Sequence, residues 1–140
     1  ECNGKEIDIE KEIAYLKNYV DLQKLRKDEN YSIIFSHENV SGFKIAPLLL
    51  IPLIENAFKH VSHFPDHNEI KIELSRTDNI FGMKVFNTRD SRQKINNTDD
   101  HGIGLRNIQR RLELLYNGRH ALDICEQPGG FEVKLEITIA

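Results

Sequence analysis

The sequence predicts an α+β fold: a two-layer α/β sandwich in which a mixed five-stranded sheet carries three main helices on one face. Two observations predict it. Three segments space their apolar residues at the helical period and five alternate them at the strand period. The strands also come as consecutive hairpins instead of alternating one for one with helices, which segregates helices to one layer. The chain's 140 residues fit one domain, able to bury about two thirds of its unfolded surface.

Residues 8–28, DIEKEIAYLKNYVDLQKLRKD, read as a helix. Ile9, Ile13, Leu16 and Val20 form one stripe; Asp8 can cap the start, and Glu10, Glu12, Lys24, Arg26 and Lys27 suit the helix dipole. Tyr15, Tyr19 and Leu22 add a second stripe, so the helix either packs within the core on two sides or docks a neighbouring domain or subunit. YSIIFSH (31–37) reads as a strand, with Tyr31, Ile33 and Phe35 on one face. A helix is expected over 46–62, with Pro47 near its first turn and Pro52 bending it or marking a restart.

EIKIELS (69–75) and IFGMKVFN (80–87) form a hairpin, and period-two parity turns Asn87 the same way as Met83 and Val85. That sets a polar residue at the end of an apolar face. Residues 88–101 are polar except for Ile95, as expected of a lid or a disordered loop. The glycine pair in HGIGL opens a third helix that runs to Tyr116, burying Leu105, Ile108, Leu112 and Leu115 and stopping at Asn117-Gly118. ALDIC and FEVKLEITI close the chain as a hairpin across EQPGG, with Cys125 turned to the core or its edge.

Composition excludes several function classes. A net charge of -3 gives no basic footprint for nucleic acid. Cys2 and Cys125 make no metal spacing and suit a reducing compartment. No apolar run reaches the ~18 residues of a membrane span, and a signal peptide is not expected. The polar start ECNGKE, without Met, suggests a piece of a longer protein.

The chemistry concentrates in LLLIPLIENAFKHV (48–61). Pro52, Asn56, Lys59, His60 and His63 fall on one helical face, while Leu50, Ile54, Ala57, Phe58 and Val61 can pack on the sheet. An amide oxygen, an ammonium and an imidazole in a row suit a metal-bound polyphosphate. The bland reading makes Glu55 and Lys59 a surface pair and Asn56 a core hydrogen-bonder. Gly102 and Gly104 would let the backbone approach an anion at a helix start. Neither the Rossmann fingerprint nor the P-loop pattern is present. His63, His67 and His120 read as solvated, and Arg106 and Arg110 as a solvated face, with phosphate or upstream-domain contact as the other reading.

PLLLIPLIENAFKH resembles the N box, and GIGLRNIQRRLELLY the second glycine box, of the ATP-binding domain of LytS-like sensor histidine kinases. These belong to the Bergerat-fold (GHKL) superfamily that also holds gyrase and MutL ATPases, and the resemblance covers essentially the whole chain. It implies a catalytic domain that binds ATP and transfers the γ-phosphoryl to a histidine. Asn56 would be the Mg2+ ligand; Lys59 and His60 would face the phosphates; Glu55 would orient water or assist transfer. Gly102, Ile103, Gly104, Leu105 and Asn107 would complete the glycine box on the triphosphate. Asn87 stands where relatives carry the aspartate that reads adenine, and Arg89 where they carry the first glycine of that box. A neutral amide there makes a weaker contact.

The resemblance divides the chain into 1–30, the tail of an upstream dimerisation region, and 31–140, the catalytic domain with its lid at 88–101. The histidine box that accepts phosphate is missing, so the acceptor would lie on an upstream dimerisation domain, with a homodimer in the full protein. The other implied partner is a response regulator receiver domain; nucleic acid and direct membrane contact are not expected. The domain would be cytoplasmic, in a membrane-bound sensor kinase. Two alternatives stay open: a degenerate nucleotide-binding or interaction module without kinase activity, and an anti-sigma-factor-like serine kinase.

Overall fold

The computed structural model describes residues 5–90 and 98–139. In chain order its elements are β1 (Ile7–Asp8), α1 (Ile9–Leu25), β2 (Tyr31–Ser36), β3 (Lys44–Ile45), α2 (Ile51–His60), β4 (Asn68–Thr77), β5 (Ile80–Thr88), α3 (Thr98–Leu115), β6 (His120–Gln127) and β7 (Gly130–Thr138). The main sheet has five strands in the order β2-β4-β5-β7-β6. Strand β2 runs parallel to β4 because the chain returns through α2, whereas the other pairs are antiparallel. This is the mixed five-stranded sheet expected. The short β1 and β3 pair separately.

Alternation builds the core. Ile70, Ile72 and Leu74 of β4 lie opposite Asn87, Val85 and Met83 of β5, and these in turn lie opposite Phe131, Val133 and Leu135 of β7. All nine side chains are buried on the face that the helices cover. Each helix contributes one stripe: Ile9, Ile13, Leu16 and Val20 from α1, Leu53, Ile54 and Ala57 from α2, and Leu105, Ile108 and Leu112 from α3. Helix α1 therefore shares its core with the sheet. Truncating a side chain such as Ile72 would cost about 2–5 kcal/mol.

Several boundaries differ from expectation for identifiable reasons. Asp8 occupies the N-cap position of α1 without a side-chain cap bond. The first helical N–H, that of Ile9, goes instead to the carbonyl of Phe43 at 2.9 Å. Helix α2 begins at Ile51 and not at 46; Pro52 sits in its first turn, where its missing N–H costs nothing, and Pro47 lies outside the helix. Tyr116 replaces Leu115 in the buried stripe of α3, since its hydroxyl accepts the Ala46 N–H at 3.0 Å while Leu115 stays exposed. Cys125 is exposed, because parity on β6 turns it from the core. No helix among the described residues is long and apolar enough to cross a membrane.

Candidate functional site

Helix α2 supplies most of the candidate residues. Its apolar residues pack on β4 and β5, and Asn56 goes in with them, only 8% exposed. The Asn56 side chain makes no hydrogen bond to any described residue, and its amide atoms are not among the fully buried ones left without a partner. Glu55 and Lys59 are exposed, and His60, half-buried, ends the helix. Their basic side chains in the last turn also suit the helix dipole. Glu55 faces α1: it is the second cause, after burial, that holds the Tyr19 hydroxyl above its ordinary pKa. Tyr19 itself meets Phe58 edge-on, with centroids 5.9 Å apart.

His63 does not join the stripe. The helix stops at His60 and Val61 is extended, so His63 swings toward Tyr31 and hydrogen-bonds its hydroxyl through Nδ1. Asn87 is buried at the end of β5, as parity requires. Its Nδ2 donates to the carbonyls of His60 at 3.4 Å and Thr88 at 3.0 Å. Both donors are thereby engaged, and Oδ1 is left as the acceptor.

Beside Asn87 lies a polar junction that sequence reasoning missed. Asn68, fully buried at the start of β4, accepts from Ser62 Oγ at 2.6 Å and from the Phe64 N–H at 2.7 Å. Its Nδ2 donates to the carbonyls of Phe64 and Asn30. Ser62 also meets Thr88 Oγ1 at 2.7 Å, and its N–H reaches the Thr88 carbonyl at 2.8 Å. This junction locks the exit of α2 to the end of β5, and so holds Asn56, His60 and Asn87 in one frame. The only sequence signal was a run of polar residues between α2 and β4.

Helix α3 packs against α2. It starts at Thr98, so Gly102, Ile103 and Gly104 lie inside it and do not open it. Helical glycines cost only about 1 kcal/mol each against Ala. A Cβ on Gly104 would meet nothing within 4 Å among the described residues, so packing there does not demand glycine. Leu105 is buried and Asn107 exposed. Of the expected lid 88–101, residues 91–97 lie outside the described residues. Arg89 is held on the β6–β7 hairpin, 3.4 Å from Glu126 and with its guanidinium 5.8 Å from the Phe131 ring centre.

Among the described residues, no group of three or more His, Cys, Asp or Glu gathers to hold a metal alone. The site offers the amide of Asn56 beside an exposed ammonium and a half-buried imidazole, which suits a hard cation whose other ligands come with a phosphate.

The sequence model of the GHKL domain matches residues 44–138, which run from β3 to the end of β7. The chain belongs to the GHKL domain family. Family membership makes this a nucleotide-binding domain, and the recognition drawn from the two boxes is met. The GHKL chain is 27% identical to the Escherichia coli sensor histidine kinase YpdA over 81% of its length, and 30% identical to the Staphylococcus aureus sensor protein kinase HptS over 85%. It spans only 22% and 25% of those two proteins. The nucleotide-free catalytic domain of histidine kinase ThkA superposes with a TM-score of 0.67 at 17% identity, over 96% of this chain and 95% of that one. The cytoplasmic segment of histidine kinase QseC gives 0.62 at 16% identity, over 99% and 80%. These two establish the shared fold.

Proposed function

We propose that this GHKL domain is the catalytic part of a sensor histidine kinase, binding Mg-ATP between α2 and the start of α3. The observation that carries this reading is Asn56: a residue nine-tenths buried, whose amide makes no hydrogen bond to a described residue, on the helix that also bears Lys59 and His60. The residues fit the group. Asn56 Oδ1 would ligate magnesium, Lys59 and His60 would offset phosphate charge, and Asn87 Oδ1 would accept from the adenine amine. That no described residue crowds the position of a Cβ on Gly104 supports close approach of a ligand to α3. Bound magnesium would neutralise charge on the leaving diphosphate, and most catalysis of this kind is positioning and charge neutralisation.

In the reaction an imidazole nitrogen of the acceptor histidine bonds to the γ-phosphorus. The bond from that phosphorus to the β–γ bridging oxygen breaks, and its electron pair leaves with ADP. The exposed Glu55 takes the imidazole proton. The acceptor would belong to a dimerisation domain of the full protein, and the product would pass to a response regulator. ThkA has been solved in complex with the response regulator protein TrrA, which supports that class of partner. The full protein would be a membrane-bound sensor with this domain in the cytoplasm.

The test combines the chain with ATP, magnesium and a separately supplied histidine acceptor domain from a LytS-like kinase. Acid-labile phosphate on the acceptor, and none on the chain alone, is expected. Transfer should be slow because unlinking the two removes their effective concentration. Acid-stable phosphate on serine would point to the serine kinase, and ATP binding without transfer to a degenerate module.

A further inference from the structure

Helix α2 begins without a cap of its own. Helix starts leave main-chain N–H groups without partners, normally met by Ser, Thr, Asp or Asn at the N-cap, with Glu or Gln three residues later reaching back to the N-cap N–H. Here the N-cap is Leu50, which makes no side-chain cap bond, and Ile51, Pro52 and Leu53 follow. The acceptor comes from another helix. Glu12 of α1, fully buried, accepts the Leu50 N–H through Oε2 at 3.4 Å and the Leu48 N–H through Oε1 at 3.1 Å. It also brings a carboxylate to the positive end of α2.

The same turn is held from its other side. Arg111 of α3 donates from Nη1 to the Leu48 carbonyl at 3.2 Å and from Nη2 to the Pro47 carbonyl at 3.3 Å. Between these charges Leu48 adopts φ +58°, a left-handed conformation that leucine rarely takes and that persists only where surroundings impose it. An acid on one helix and a base on another thus grip the donors and acceptors of one strained turn.

We infer that Glu12 and Arg111 are positioning residues for the nucleotide site: by fixing where α2 begins, they fix where Asn56 stands. The inference rests on the reading of Asn56 as the magnesium ligand. A helix rises 1.5 Å per residue and moves as a unit, which puts Asn56 about 9 Å from Leu50. Magnesium demands near-ideal geometry at about 2.0–2.1 Å, so a small shift of the helix start is felt at the ligand. Because one arm of the grip lies on α1, displacement of α1 also reaches Asn56 by this route.

The test compares the wild-type chain with Glu12→Gln, Arg111→Lys and Arg111→Met. Gln leaves one acceptor and turns an NH2 toward an N–H; Lys keeps the charge without the fork. ATP affinity is measured by calorimetry with magnesium and with EDTA, alongside thermal unfolding and amide exchange at Leu48 and Leu50. Folded variants should exchange those amides faster and lose about tenfold in ATP affinity with magnesium, the range typical of supports behind a metal ligand. Affinity in EDTA should stay near that of the wild type, with Arg111→Lys milder than Arg111→Met. Equal losses with and without magnesium, or faster exchange with unchanged affinities, overturn the inference and leave the grip a purely structural one. Should Glu12→Gln not fold, the two Arg111 variants decide by the same criterion. A wild type whose ATP affinity ignores magnesium overturns the reading of Asn56 itself, and this inference with it.

Discussion

The side-chain amide of Asn87 donates to the main-chain carbonyl of His60, 3.4 Å away, tying the last residue of β5's buried face to the last residue of α2. With the Thr88 carbonyl taking the second donor, the amide is held with its oxygen as the acceptor. An anchored acceptor matches the exocyclic amine of adenine and opposes the carbonyl of guanine.

The wild type should therefore prefer ATP to GTP, and Asn87→Ala should lose that preference. Asn87→Asp should sharpen it, because a charged acceptor is roughly twice as strong. The same change sets a carboxylate against two carbonyls that lose their donors, so it should cost about 1–3 kcal/mol of stability. Nucleotide affinities and urea unfolding of the three proteins check both halves; equal ATP-to-GTP ratios throughout would falsify the role in base reading.

Asn56→Ala should fold and lose most of its magnesium-dependent ATP affinity. Its amide makes no hydrogen bond to the described residues, so its removal strands no partner there. Calorimetry with and without magnesium, beside circular dichroism, measures this; unchanged magnesium-dependent binding in a folded variant sinks the assignment.

Asn68→Ala should be among the most destabilising single polar changes, about 3 kcal/mol. It strands the Phe64 N–H and leaves the buried Ser62 hydroxyl with Thr88 Oγ1 alone; a stranded group costs about 1–3 kcal/mol, and the two losses do not simply add. Urea titration gives the loss. A change below about 0.5 kcal/mol, the range of ordinary surface substitutions, would show the junction to be dispensable.

Burial holds the Tyr116 hydroxyl above its usual pKa of 10.0, outweighing the Ala46 N–H that it accepts. A raised folded pKa means that the neutral form is favoured on folding. Its contribution is complete below the unfolded value and lost as pH rises through the folded one. Stability of the wild type should fall more steeply above pH 10 than that of Tyr116→Phe, which at neutral pH should be weaker by about 1–3 kcal/mol for the stranded Ala46 N–H. Parallel alkaline profiles of the two proteins contradict this.

Residue order alone made the sheet and its covering helices legible, because period-two alternation in β4, β5 and β7 and the stripe of α1 are local patterns that solvent exclusion reads directly. It also placed Asn56 on a buried helix and Asn87 on the inward face of β5, since both follow from counting along one element. Glu12 showed only as an acid in a first turn, although it sits between Ile9 and Ile13 in the buried stripe, a signal available to periodicity alone. What periodicity lacks is the partner. The Leu48 and Leu50 amides, Arg111 and the Ser62–Asn68–Thr88 junction are brought together from distant parts of the chain. Tertiary structure also decided that Tyr116 and not Leu115 closes the core, and that His63 turns to Tyr31. Buried polar groups must find hydrogen-bond partners wherever the fold brings them, and that requirement is non-local.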